Sequence, residues 1–363
     1  MSRPWIRGSL LSPVLALLFA ANLYAQNNFI YTNDDVAPLS GKNTVSGFAV
    51  AGNGALTPVP GSPFATGGIG GGGEPFAVNR VTTCSAQKLI YASNAKSNDV
   101  SGFSVDPSTG GLAPVPGSPF ATGGSSGGAI ALACTPDGQF LMAANNGSSD
   151  ITVFRIGSDG ALTAILGSPF ALDSRPVGIA ISPDGRFLAV ALVSLDAAAM
   201  FSIAPDGTLA PVLGSPFPGA GVGALAGVDV NCGGKLLFGG AANDQTTIVD
   251  VFNIATNGAL TPLPHSPFPQ PLPPFPAPGV GINSNVVLLS PNESLLFVSN
   301  QQSQSVTVFS VDSSGISHRS RVRHSRRPEA SSQPGWQWIR AAISCTSRIA
   351  AASTAIASGA MAL

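Results

Sequence analysis

Charge is what this chain has least of. Asp, Glu, Lys and Arg make up 10% of its 363 residues and the formal net charge is -1, so no global field exists to attract nucleic acid or acidic lipid. Histidine is scarcer still: of three, only His265 precedes residue 316. With no CxxC pair either, a zinc ligand set is missing. No D-x-D-x-D-G stretch offers a calcium loop. The glycine run GGIGGGG (67–73) lacks both a G-x-G-x-x-G start after a strand and the lysine of a P-loop, which argues against phosphate cradling. No cofactor or metal is expected.

Long apolar runs are missing too, apart from one at the start. MSRPWIRGSLLSPVLALLFAANLYAQ places Arg3 and Arg7 before an apolar stretch and ends in small residues at Ala25. That is the pattern of a secretory signal peptide, 1–25. The stretch is too short for a bilayer of about 30 Å and contains Pro13, which argues against an anchor. The expectation is a secreted or periplasmic protein, with no membrane span after cleavage.

What the chain does have is glycine and proline, 43 and 31 residues, a balance that suits short strands and turns rather than helices. It also repeats itself. PVPGSPFATGG occurs at 58–68 and again at 114–124, and GSPF or HSPF returns so that Ser62, Ser118, Ser168, Ser215 and Ser266 stand 56, 50, 47 and 51 residues apart. A period near fifty marks a repeat architecture.

The unit RPVGIAISPDGRFLAVALVSLDAAAMFSIAPDGTLAPVLGSPF, 175–217, holds four short apolar segments separated by turn signals such as SPDG and APDG, which read as four antiparallel strands. Such a sheet cannot bury both faces alone, so neighbours must cover them, and the fold class is all-β, a β-propeller. Counting second strands (FIYTN at 29–33, LIYASN at 89–94, FLMAAN at 140–145, FLAVA at 187–191, LLFGG at 236–240 and LLFVSN at 295–300) predicts six blades within 26–315, the first lacking its inner strand. The SPF aromatic should plug between blades. Its serine is not read as a nucleophile, because it lacks the G-x-S-x-G elbow and no histidine recurs beside it.

After VTVFSVDSSG the pattern stops. The last 48 residues, 316–363, hold seven of the 17 Lys and Arg, two of three His and two of three Trp. Such a tail invites a nucleic-acid reading, but the genetic code argues otherwise. Written as degenerate codons and read from each third base, His318 to Glu329 permits P-V-P-G-S-P-F-A-T-x-G. From Gly335 the same shift permits a match to IAISPDGRFLAVA. The tail therefore reads as an out-of-frame, non-native translation of a seventh blade, and no nucleic-acid partner is expected.

Both tight turns of a blade fall on one face, so the longer second-to-third and fourth-to-first loops share the other. That mouth is the default ligand site. Its candidates are Glu74, Arg175 and Asp229 for catalysis and Asp173, His265 and Asn285 for ligand binding. Each loop residue has the plainer reading of a solvated side chain, and Asp229 on an inner strand either lines the channel or accepts backbone hydrogen bonds. Cys84, Cys134 and Cys232 align at the end of the same strand in different repeats. An oxidising compartment would let Cys84 pair with Cys134; buried free thiols are the alternative.

SPDGRFLAVAL, TPDGQFLMAANNGSSDITVFRIGSDGAL and SPNESLLFVSNQQSQSVTVFSV resemble the lactonase-type seven-bladed propellers, including 6-phosphogluconolactonase-like proteins, and the related YVTN-repeat surface proteins. The resemblance implies hydrolysis of a sugar lactone by charged side chains at the channel mouth. No family catalytic motif can be matched residue by residue, and these segments are blade scaffolding shared by non-enzymes. The leading expectation is thus a monomeric secreted propeller that binds a small molecule, glycan or protein at its mouth, with a lactone hydrolase as the alternative and a cell-surface adhesion repeat as the third.

Overall fold

The computed structural model describes residues 28–36, 41–72, 78–84, 88–125, 128, 130–219, 224–242, 247–264, 266–269, 284–300, 305–312 and 315–317. The signal sequence, the out-of-frame tail, Glu74 and His265 lie outside them. The described chain is entirely β. Six antiparallel sheets follow one another in sequence, each completed before the next begins, which makes the protein a β-propeller.

The third sheet shows the pattern. An inner strand (Ile130–Cys134) pairs with a second (Phe140–Asn145), a third (Asp150–Ile156) and a short outer strand (Leu162–Ala164). The first hairpin turns at TPDG: Gly138 N–H donates to Thr135 O at 2.8 Å, and Thr135 Oγ1 caps Phe140 N–H at 3.0 Å. Proline, a short acceptor and glycine supply this turn wherever the motif recurs.

The outer strand corrects the sequence-based picture. PVPGSPF does not continue as a fourth strand into the next sheet. The strand ends after three residues, for example Leu112–Pro114, and Phe120–Ala121 folds back to pair with the third strand, Asp99↔Ala121 and Val100↔Phe120. Five sheets carry this two-residue return strand, and the preceding Ser–Pro bond is cis in each. Between the two pieces sits a turn closed by Ser118 N–H to Val115 O at 3.2 Å, with Gly117 at φ 80°.

The five serines have a structural duty. Ser62, Ser118, Ser168, Ser215 and Ser266 each accept the backbone N–H of a third-strand residue: Gly47, Gly102, Val153, Met200 and Val251, at 2.7–3.1 Å. These donors lie where the outer strand has already veered away. A buried N–H without a partner costs about 1–3 kcal/mol, so the repeat writes a serine at this place every time.

The core lies between sheets. Each apolar cluster joins two consecutive sheets, as where Leu89, Tyr91 and Val100 of the second meet Ile130, Leu132 and Phe154 of the third. The return-strand aromatics Phe64, Phe120, Phe170, Phe217 and Phe268 pack against five such clusters in turn. Tyr31 and Tyr91 add a polar latch, their hydroxyls donating to Gly110 O at 2.7 Å and Gly160 O at 2.8 Å in the turn of the following sheet. Cys84 and Cys134 form a disulfide between the inner strands of the second and third sheets, with Cα atoms 5.6 Å apart, and Cys232 is a free thiol.

In the first sheet the innermost described strand, Asn28–Asn33, pairs only with Thr44–Val50. It occupies the second-strand position, since Tyr31 faces Gly47 as Tyr91 faces Gly102.

Candidate functional site

The loop-bearing face is held by a recurring polar network. Asn94 Nδ2 donates to Asp99 Oδ1 at 2.6 Å and to Ser101 Oγ at 2.8 Å, and Ser101 Oγ donates to Thr66 O of the preceding sheet at 2.8 Å. Asn145, Asp150 and Thr152 repeat this one sheet later. In the first sheet Asp34 takes the place of the asparagine, accepting from Thr44 Oγ1 at 2.6 Å and Ser46 Oγ at 2.9 Å. These groups close the second-to-third hairpins and leave the loops above them to vary.

Two arginines stand at this mouth, and their environments differ. Arg80, at the head of the second sheet's inner strand, is buried and forms an ion pair with the equally buried Asp35 in the first sheet's loop. Asp35 is itself fixed by Gly71 N–H, which donates to its Oδ1 at 2.7 Å. A paired, desolvated charge of this kind is a joint: breaking either half strands the other. Composition alone did not reveal the pair.

Arg175 heads the inner strand of the fourth sheet, which begins at Pro176. Its Nε and Nη2 both donate to Asn146 Oδ1, at 3.1 and 2.5 Å, and Asn146 Nδ2 donates to Pro176 O at 2.8 Å. Asn146 is 4% exposed while Arg175 is exposed. A rigid, neutral amide therefore orients the guanidinium without cancelling its charge. Among the described residues no carboxylate oxygen lies within ion-pair distance of Arg175, whereas Arg80 and Arg186 both have one. Asp173, in the same loop, is exposed.

The other candidates separate. Asp229, 4% exposed on the inner strand of the fifth sheet, accepts Leu289 N–H of the sixth sheet at 3.0 Å and Val230 N–H at 3.1 Å. Of its two sequence readings the geometry fits the structural carboxylate, and it is no catalytic candidate. Asn285 falls within the inner strand Ser284–Leu289 of the sixth sheet, away from the Arg175 loop in sequence and in sheet order. Glu74 and His265, being outside the described residues, enter no geometry.

One group at the lumen was not foreseen. Asn79, at φ 57°, lies before the inner strand of the second sheet. Its carbonyl accepts Leu132 N–H at 2.9 Å, and its Nδ2 donates to Ile179 O at 2.6 Å. Leu132 and Ile179 sit on the inner strands of the third and fourth sheets. No sequence signal points to a contact across 100 residues.

On the tight-turn face a cleft of about 680 Å³ opens between the fourth and fifth sheets, lined by Asp184, Arg186, Phe187, Cys232, Lys235 and Ile254 among others. There Arg186 Nε is neutralised by Asp184 Oδ2 at 2.7 Å. The described guanidinium left without a carboxylate at a channel mouth is that of Arg175.

A family model described as "Lactonase, 7-bladed beta-propeller" matches residues 85–220, from the second strand of the second sheet to just past the return strand of the fourth. The fold is that of a lactonase-type propeller. Among solved structures, this propeller is similar to a candidate 6-phosphogluconolactonase from Bacteroides fragilis, with 20% identity and a TM-score of 0.63 over 81% of this chain and 80% of that one. It is also similar to a periplasmic gluconolactonase of Pseudomonas aeruginosa, with 19% identity and a TM-score of 0.61 over 80% of each chain. A candidate 6-phosphogluconolactonase from Bacteroides uniformis gives 20% and 0.62 over 81% and 82%. At such identities the likeness is one of fold. No curated protein sequence matches the chain. The family match covers both Asn146 and Arg175, so the oriented guanidinium belongs to the segment where the lactonase likeness is carried by sequence as well as by shape.

Proposed function

We propose that this propeller hydrolyses a sugar lactone at the mouth framed by the 172–175 loop and the 146–149 loop. The observation that carries the reading is Arg175: a cation held in place by a neutral amide, unpaired with any described carboxylate, at the entrance of a lactonase-type channel. Lactone hydrolysis builds negative charge on the carbonyl oxygen when water attacks. A preoriented guanidinium stabilises that charge without first breaking an ion pair.

Water adds to the carbonyl carbon and Asp173, the carboxylate of the same loop, takes its proton. The tetrahedral adduct then collapses by cleaving the ring C–O bond, and the departing alkoxide takes up a proton to give the open hydroxy acid. This places the hydrolase ahead of the purely binding propeller expected from the sequence, since a binding role needs no oriented, uncompensated cation. A signal-like N-terminus and the periplasmic description of the Pseudomonas aeruginosa relative favour an unphosphorylated aldonolactone met outside the cytoplasm.

The test is hydrolysis of a lactone panel followed by pH-stat. Arg175→Ala should lower kcat by roughly 10²–10³, the scale for one oxyanion donor, and Asp173→Asn should lower it with little change in KM. Full activity in Arg175→Ala, or turnover of no lactone by the wild-type chain, would overturn the proposal.

A further inference from the structure

The inner strands of the third and fourth sheets each pair on one side only, with their own second strands. Their other edges, N–H and C=O alike, face the lumen. Leu132 pairs with Ala143, which pairs with Thr152, and Ile179 pairs with Val190, which pairs with Ala199. Thr152 and Ala199 each precede the residue whose N–H is capped by the repeat serine, Val153 and Met200. Leu132 and Ile179 are therefore equivalent positions, one level of the channel seen in two successive sheets.

Asn79 of the second sheet engages both at that level, its backbone carbonyl on Leu132 N–H and its side chain on Ile179 O. A link from the second sheet to the fourth that also touches the free edge of the third can run only through the lumen. Asn79 is thus a crosspiece. Its left-handed backbone, φ 57°, is one that asparagine tolerates better than most residues, and it turns the chain into the channel before the inner strand begins.

Depth follows from the strand. Ile179 lies four residues beyond Arg175, and with the irregularity between Pro176 and Gly178 that separation is on the order of 10 Å. The mouth is then a well with Arg175 at its rim and Asn79 across its floor. Of the polar groups on the Asn79 amide, one Nδ2–H is used on Ile179 O, which leaves the second N–H and Oδ1 to meet a ligand as donor and acceptor together. A hydroxylated ring presents both partners. An apolar tail would satisfy neither.

We infer that Asn79 is a specificity-determining residue: it closes the channel below the mouth, limits the ligand to a single sugar unit and hydrogen-bonds the hydroxyls at that unit's inner end. This deepens the lactonase reading and rests on it for the nature of the ligand, though the well itself is a matter of geometry.

The experiment compares wild-type chain with Asn79→Gly, which keeps the left-handed backbone and the bond to Leu132 while deleting the floor. Hydrolysis of gluconolactone and of the disaccharide maltobionolactone is measured, together with calorimetric binding of gluconate and maltobionate. Wild type should favour the single-sugar ligand at least tenfold in kcat/KM, chiefly through KM. Asn79→Gly should lose about tenfold on that ligand and shift the ratio toward the disaccharide by tenfold or more. An unchanged ratio in a variant with wild-type circular dichroism overturns the inference. If neither lactone turns over, gluconate binding that weakens tenfold in Asn79→Gly while maltobionate binding does not would retire the lactonase reading and keep the floor. Binding of neither acid would retire both. A second variant, Asn79→Asp, should also weaken gluconate binding, because it removes the donor while keeping the size; equal affinity would count against the hydrogen-bonding role.

Discussion

Replacing Leu166 and Leu213 by proline should stabilise this protein. The turn after each outer strand runs over four residues closed by an i to i+3 hydrogen bond, with glycine at the third place in the left-handed region: Ser168 N–H to Ile165 O at 3.2 Å with Gly167 at φ 86°, and Ser215 N–H to Val212 O at 2.9 Å with Gly214 at φ 90°. That is a type II turn, whose second place prefers proline. The equivalent residues are Pro60, Pro116 and Pro264 in three other sheets. Leu166 and Leu213 are 98% and 91% exposed, so losing them removes no burial. A proline that fits its backbone stabilises by about 0.4–1 kcal/mol through the unfolded chain. The sites lie in different sheets and should add, giving about 1–2 kcal/mol for the double variant. At about 2–4 °C per kcal/mol for a chain of comparable size, the melting midpoint should rise by roughly 2–6 °C. Differential scanning calorimetry of both single variants and the double measures this, with Pro116→Leu as the reverse control expected to fall. A lower midpoint in either single variant would refute the assignment of a common turn.

Three further outcomes follow from the same geometry. Ser168→Ala should cost about 1–3 kcal/mol in urea unfolding, since Val153 N–H, fully buried, loses its acceptor at 2.7 Å; an unchanged midpoint would mean that water or another group replaces the hydroxyl. The Cys84–Cys134 bond closes a segment of 50 residues, worth about 4 kcal/mol on loop entropy, so the Cys84→Ser/Cys134→Ser double variant should melt well below wild type under non-reducing conditions and equal it under full reduction. Burial, reinforced by Asp106, pushes the Tyr31 hydroxyl up to about 12, and burial with Asp159 pushes Tyr91 up as well. The unfolded chain releases these protons first, near pH 10, so stability should be intact below that pH and decline toward about pH 12. Tyr31→Phe/Tyr91→Phe should flatten the decline in urea midpoints between pH 9 and 12, and an identical slope would contradict the assignment.

Much of the fold was legible because its signals are local. Each second strand announced itself as an apolar run between turn residues, and TPDG at 135–138 dictated its hairpin through groups no more than five residues apart. The outer strand was misread at its end, because PVPGSPF looks continuous in sequence while the glycine at positive φ reverses it. Of the mouth, the loop carrying Asp173 and Arg175 could be found by its length. Asp229 could be seen as unusual, but the choice between lining the channel and bracing a neighbour turned on Leu289, 60 residues away.

The sequence by itself determined the period, the strands and the place of each blade, since the alternation of apolar segments with turn residues is a property of neighbours along the chain. Only the tertiary structure decided which polar groups meet. Ser168 finds Val153, Asn146 grips Arg175 and Asn79 spans to Ile179 because of the angle at which one sheet follows another. That angle is set by the packing of aromatic and aliphatic side chains between sheets, and no short window of residues records it.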